Sequence, residues 1–126
     1  MAEFLKVNGQ EYPAKFISKY QDLNWDKRET QTIYLTMSHD AVAALLPDNT
    51  PWSIVQRDTV PKYDSDGQPT GETKEVVNEY DNSEYSLAGD ITDHRDGTVS
   101  IKMGKPTETE TLRAQLAEIE EAYDGQ

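Results

Sequence analysis

Residues 84–105 read EYSLAGDITDHRDGTVSIKMGK, and this stretch decides the fold class. In its first half Tyr85, Leu87 and Ile91 fall on one face with Gly89 between them, while Ser86, Asp90 and Thr92 fall on the other. In its second half Val99, Ile101 and Met103 alternate with Ser100 and Lys102. A period of two is the signature of a half-buried strand. His94-Arg95-Asp96-Gly97 joins the two runs, and Asp-Gly favours a tight turn because Gly adopts positive φ without steric cost. The reading is an antiparallel hairpin with one buried and one wetted face, and Leu87 and Ile101 are expected inside.

Upstream, the pattern repeats. Phe4 to Val7 is a short strand, and Asn8-Gly9 signals a type I′ turn. The returning run places Tyr12, Ala14, Phe16 and Tyr20 on one face, with Pro13 at an edge or a strand start because it cannot donate a ladder hydrogen bond. Gln21 to Glu29 reads as a loop around Trp25. Thr30 to Ser38 is a strand with Ile33, Leu35 and Met37 inward and Tyr34 outward. Ser38 caps a short helix, Asp40 to Leu46, whose apolar side is Val42, Leu45 and Leu46. Residues 52–80 form a long hairpin around the turn-rich stretch Asp64 to Gly71, with sparsely apolar arms and a polar tip. Downstream, Thr107-Glu108-Thr109-Glu110 matches the capping box of a helix running to Tyr123. Leu112, Leu116, Ile119 and Tyr123 make a narrow seam along it, as in a helix that docks in one groove. The expected fold is mainly β, a β-sandwich or partly open barrel, with a short mid-chain helix and a C-terminal helix. Residues 1–105 are read as the β-domain and residues 106–126 as a helix of the same domain or an assembly element.

At 126 residues the chain is long enough for one hydrophobic core. It has no cysteine, which excludes disulfides and thiolate metal sites. A mean hydropathy of -0.83 makes that core lean. No charged-then-apolar signal segment opens the chain, and no run is apolar enough to span a bilayer, so a soluble, cytoplasmically made protein is expected. The net charge of -12 is uneven: residues 1–63 carry 8 acids and 7 bases, residues 64–126 carry 16 and 5. Such a second half repels a phosphate backbone, so nucleic-acid binding is not expected. It suits a solvated surface, a docking face for a basic protein, or a DNA mimic.

Few residues carry site chemistry. His39 and His94 lack any zinc-ligand spacing. Asp64-Ser65-Asp66-Gly67 is similar to part of a calcium loop, but Gln68 follows and Glu75, the twelfth residue, falls in a strand. Asp90, Asp93 and Asp96 surround a turn, where Asp serves local hydrogen bonds, rather than framing an apolar pocket as a glycosidase pair would. Tyr34, Trp25, Tyr63 and Tyr80 are the exposed-aromatic candidates for a sugar platform. No nucleophile motif or phosphate loop occurs, so neither catalysis nor a cofactor or metal is expected. Contacts with a partner are expected instead, at Tyr63, Asp66 and Gln68 on the hairpin tip and at Leu112, Leu116, Ile119 and Tyr123 on the helix.

The strings Trp52-Ser-Ile-Val, Glu79-Tyr-Asp-Asn-Ser-Glu-Tyr and Gly89 to Lys105 resemble small proteins encoded in the tail-gene region of phages and prophages of Gram-positive bacteria. The resemblance spans residues 4–105 and a short C-terminal helix. It implies a non-enzymatic virion component of the tail or baseplate, made in the host cytoplasm, with other virion subunits as partners in a homo- or hetero-oligomer. It transfers no catalytic residues. An acidic inhibitor or adaptor of the DNA-mimic type and a carbohydrate-binding module are the alternatives.

Overall fold

The computed structural model describes residues 2–124, with side chains as far as Glu118. Among these, seven strands and two helices follow in order: β1 (Ala2–Val7), β2 (Gln10–Asp22), β3 (Arg28–Leu35), α1 (His39–Leu45), β4 (Ser53–Tyr63), β5 (Pro69–Asp81), β6 (Leu87–Asp93), β7 (Val99–Gly104) and α2 (Glu108–Asp124). All pairings are antiparallel, in one seven-stranded sheet of order β5-β4-β1-β2-β3-β7-β6. The mainly-β class with a mid-chain and a C-terminal helix is therefore the observed one.

The sheet has a seam at Pro13. Residues 10–13 of β2 pair with β1, and residues 14–22 pair with β3. Pro13 lacks the N–H that would carry the ladder on, and one strand thus passes from one half-sheet to the other. The halves meet in one core of Leu5, Val7, Ile33, Leu35, Val42, Leu46, Trp52, Val99, Ile101 and Met103. Phe16 stacks on Trp52 with centroids 6.2 Å apart, and the Trp52 indole N–H donates to the Tyr85 carbonyl at 3.0 Å. The local signals act as their chemistry requires. Asn8 and Gly9 take φ of 52° and 80° in the first turn, and the Ser38 hydroxyl accepts from the Ala41 N–H at 3.1 Å.

Two faces differ from expectation. The β6–β7 register passes from Ala88↔Met103 to Ile91↔Ile101, three residues against two, so β6 carries a bulge. The extra residue switches the strand's face, and Ala88 and Ile91 pack on the core while Leu87 is only half-buried. Tyr20 lies beyond the end of the core layer and is 77% exposed rather than packed with Phe16.

Candidate functional site

Two elements project from this core, and both carry residues expected to meet a partner. The first is the hairpin of β4 and β5. Its base is tied down on the β1–β2 side. Arg57 bonds both carboxylate oxygens of Glu11, at 2.8 and 2.6 Å, and also reaches Glu75, while Lys6 meets Glu79 at 2.8 Å. These pairs raise the pKa of Arg57 and lower that of Glu11, chiefly through the Arg57–Glu11 hydrogen bond. Beyond them, every residue from Pro61 to Glu75 is exposed.

At the tip the Asp64 carboxylate accepts the N–H groups of Asp66 and Gln68 at 2.9 and 3.0 Å, and Gly67 closes the turn at φ +80°. Asp64 is thus engaged in building the turn. Among the described residues, no group of three or more His, Asp or Glu could hold a metal ion. Tyr63, Asp66 and Gln68 stand exposed at this tip.

The second element is α2, fixed to the sheet at its first turn. Thr107 and Glu110 form the reciprocal capping box: the Glu110 N–H donates to the Thr107 hydroxyl at 3.2 Å, and the Thr107 N–H donates to the Glu110 carboxylate at 2.9 Å. The same carboxylate receives two hydrogen bonds from Arg28, at 2.7 and 3.0 Å. Arg28, and then the Thr107 N–H, hold Glu110 at a pKa of about 2, well below the usual carboxylate range. The Arg28 guanidinium stacks over the Trp25 ring at 4.6 Å, a cation–π contact that fixes its plane. Trp25 in turn lies against the backbones of Gly89 and Gly104, where an added Cβ would come within 2.8 and 2.7 Å of the indole. Beyond this anchor the helix presents Leu112 and Leu116 to solvent, 57% and 55% exposed. Ile119 and Tyr123 have side chains outside the described residues.

The remaining candidates do not converge. His39 and His94 are both exposed, and His94 stacks on Tyr34 and bonds the Ser100 hydroxyl at 2.8 Å. Asp93 and Asp96 accept the N–H groups of Arg95 and Thr98 in their own turn, both at 2.9 Å. Of the four aromatics expected on the surface, Trp25 is covered by Arg28 and Tyr34 by His94. Tyr63 and Tyr80 are exposed, but Tyr80 pairs with Ile54, nine residues from Tyr63 along β4. At the rise of an extended strand that separation is about 30 Å, too far to stack on one sugar.

Besides the Arg28–Glu110 anchor, the sequence reading missed two things. One is the ion pair of Asp22 with Lys102 at 2.6 Å, which lowers the pKa of the buried carboxylate. The other is the run of exposed apolar residues Ile17, Tyr20 and Leu23 on and after β2. Alternation predicts which residues share a face, and no local signal marks where the covering layer ends. Where β1 and β2 diverge past Pro13, a groove of about 690 Å³ opens between them, lined by Phe4, Ala14, Lys15, Tyr34 and His94 among others. No helix among the described residues is long and apolar enough to cross a membrane. Comparison with family models, curated proteins and solved structures found no match.

Proposed function

We propose that this protein is a non-enzymatic assembly component of a phage particle, of the tail or baseplate, that acts through protein–protein contacts. The observation that carries the reading is α2. It is held by one hydrogen-bonded turn at Arg28 and Glu110, yet it directs Leu112 and Leu116 outward. An isolated helix of this length is marginal in water, so its apolar stripe gains most of its stabilisation from a neighbour. The exposed hairpin tip with Tyr63, Asp66 and Gln68 is the second contact, and the resemblance to tail-region proteins supplies the setting.

The test is light scattering behind size exclusion on the full chain and on Leu112→Asp/Leu116→Asp. The reading expects an assembly of the wild type, or a complex with co-expressed neighbouring tail proteins, that the double substitution abolishes while the β-domain melts unchanged. Unaltered association in the double variant, or a melting transition that collapses with it, would refute the role of α2.

A further inference from the structure

The seam at Pro13 leaves the molecule with a second long free strand edge. From Ala14 to Lys19, β2 pairs only with β3, in unbroken register up to a bulge between Lys19 and Asp22, and the side turned toward β1 has no strand against it among the described residues. At the other end of the sheet, β5 pairs only with β4, in unbroken register from Thr73 to Asp81. Two other edges differ from both: β6 is short, bulged in mid-strand between Ala88 and Ile91 and accompanied by α1, and the β1 side of β4 from Asp58 to Tyr63 is interrupted by Pro61 and an irregularity before Tyr63. A bulge is a standard way to disarm an edge, whereas a long regular edge remains a template for another strand.

The two open edges are chemically complementary. Residues 14–21 carry Lys15 and Lys19 and no acid, in a chain of net charge -12. Residues 69–81 carry Glu72, Glu75, Glu79 and Asp81 against Lys74 within the strand, and Glu72, Glu75 and Glu79 also meet Lys62, Arg57 and Lys6 of the same chain, so the edge is acidic and partly neutralised. Each edge also shows apolar side chains to solvent, Ile17 at 56% and Tyr20 at 77% on β2, Val77 at 47% and Tyr80 at 51% on β5. Like edges would oppose lysine to lysine or acid to acid, and cross-strand like charges are destabilising.

We propose that the free edge of β2 receives β5 of a second copy of this chain, so that the sheet continues from one subunit into the next. The inference rests on the assembly reading above and adds an edge contact to those of α2 and the hairpin tip. Strand addition supplies main-chain hydrogen bonds, and the side chains select the partner edge. Because the two edges differ, the contact is head-to-tail, and it builds a ring if its rotation closes or a filament if it does not.

The chain has no cysteine, so single cysteines report the contact cleanly. One protein carries Ser18→Cys and another Asn78→Cys, and the two are mixed at equal concentration with a short bismaleimide. The mixed cross-link should exceed either like-with-like cross-link by about tenfold, a preference of about 1.4 kcal/mol. Charge reversal gives the second arm. Lys15→Glu/Lys19→Glu and Glu75→Lys/Glu79→Lys, each pair four residues apart and so on one face, should each fail to assemble alone with an unchanged melting transition, which checks that loss of the Arg57 and Lys6 pairs leaves the fold intact. A mixture of the two should assemble again. Dominant like-with-like cross-links would mean a two-fold contact of equal edges and overturn the proposal. A wild type that assembles by light scattering without the mixed cross-link would also overturn it and leave the assembly reading standing. A wild type that stays monomeric with no cross-link would overturn the proposal, and if it also forms no complex with co-expressed neighbouring tail proteins the assembly reading falls with it.

Discussion

The bulge in β6 makes a sharp energetic prediction, because it exchanges the residues that face the core. Ile101 has no exposed surface and lies in the centre of the sheet, paired with Ile33 on one side and Ile91 on the other. Ile101→Ala removes three carbon groups, about 2.4 kcal/mol of transfer free energy at ~0.8 kcal/mol per buried methylene. Strands held by ladders on both sides cannot close the hole, so a cavity contribution of about 1 kcal/mol or more is added. The expected cost is ~3–4 kcal/mol, a large fraction of the stability of a domain of this size. Leu87 lies before the bulge and is half-buried outside the core cluster. For Leu87→Ala the transfer loss is partial and no closed cavity forms, so the cost is about 1 kcal/mol or less. Ile91→Ala should fall between the two. Urea unfolding followed by circular dichroism measures all three, read from midpoints at constant slope. If Leu87→Ala costs as much as Ile101→Ala, the strand keeps simple alternation through Gly89 and Asp90, and the bulge argument is wrong.

Three further outcomes are expected. Thr30 is buried and its hydroxyl has no hydrogen-bond partner among the described residues, so the near-isosteric Thr30→Val should stabilise the fold by about 1 kcal/mol, seen as a raised urea midpoint. Glu110 titrates at about 2 against an ordinary value of 4.5. A depressed carboxylate stabilises the docked form above its ordinary pKa and loses that contribution as pH falls through the folded value. Helicity should therefore decline between about pH 4.5 and 2, and Glu110→Gln should weaken docking already at neutral pH and abolish this step in far-ultraviolet circular dichroism. Replacing Asp64 to Gly71 with Asn-Gly should leave the melting temperature nearly unchanged, because closure entropy varies weakly with loop length; a collapsed transition would show that the tip supports the core.

Much of this protein was legible in its sequence, because local chemistry fixes local geometry. Asn8-Gly9, the Ser38 cap and the Thr107–Glu110 box each satisfy or position backbone groups within a few residues, so they read directly. Alternation identified the strands and the inward faces of Ile33, Leu35, Ile101 and Met103. The exposure of Tyr63, Leu112 and Leu116 was legible for the same reason: apolar or aromatic residues in otherwise polar elements have nothing nearby in sequence to cover them. What the tertiary structure alone decided depends on residues far apart in the chain. Gly89 was visible, but the bulge around it is set by its pairing with β7, and the lack of space for a Cβ there comes from Trp25, 64 positions earlier. Arg28 and Glu110 are separated by 82 positions, and nothing local to either names the other. The free edge of β2 arises because β1 stops pairing at Pro13 while β3 continues, a mismatch between two partners that no single stretch encodes. Periodicity is a property of one strand, whereas an edge, a bulge and an anchor are properties of which strands meet.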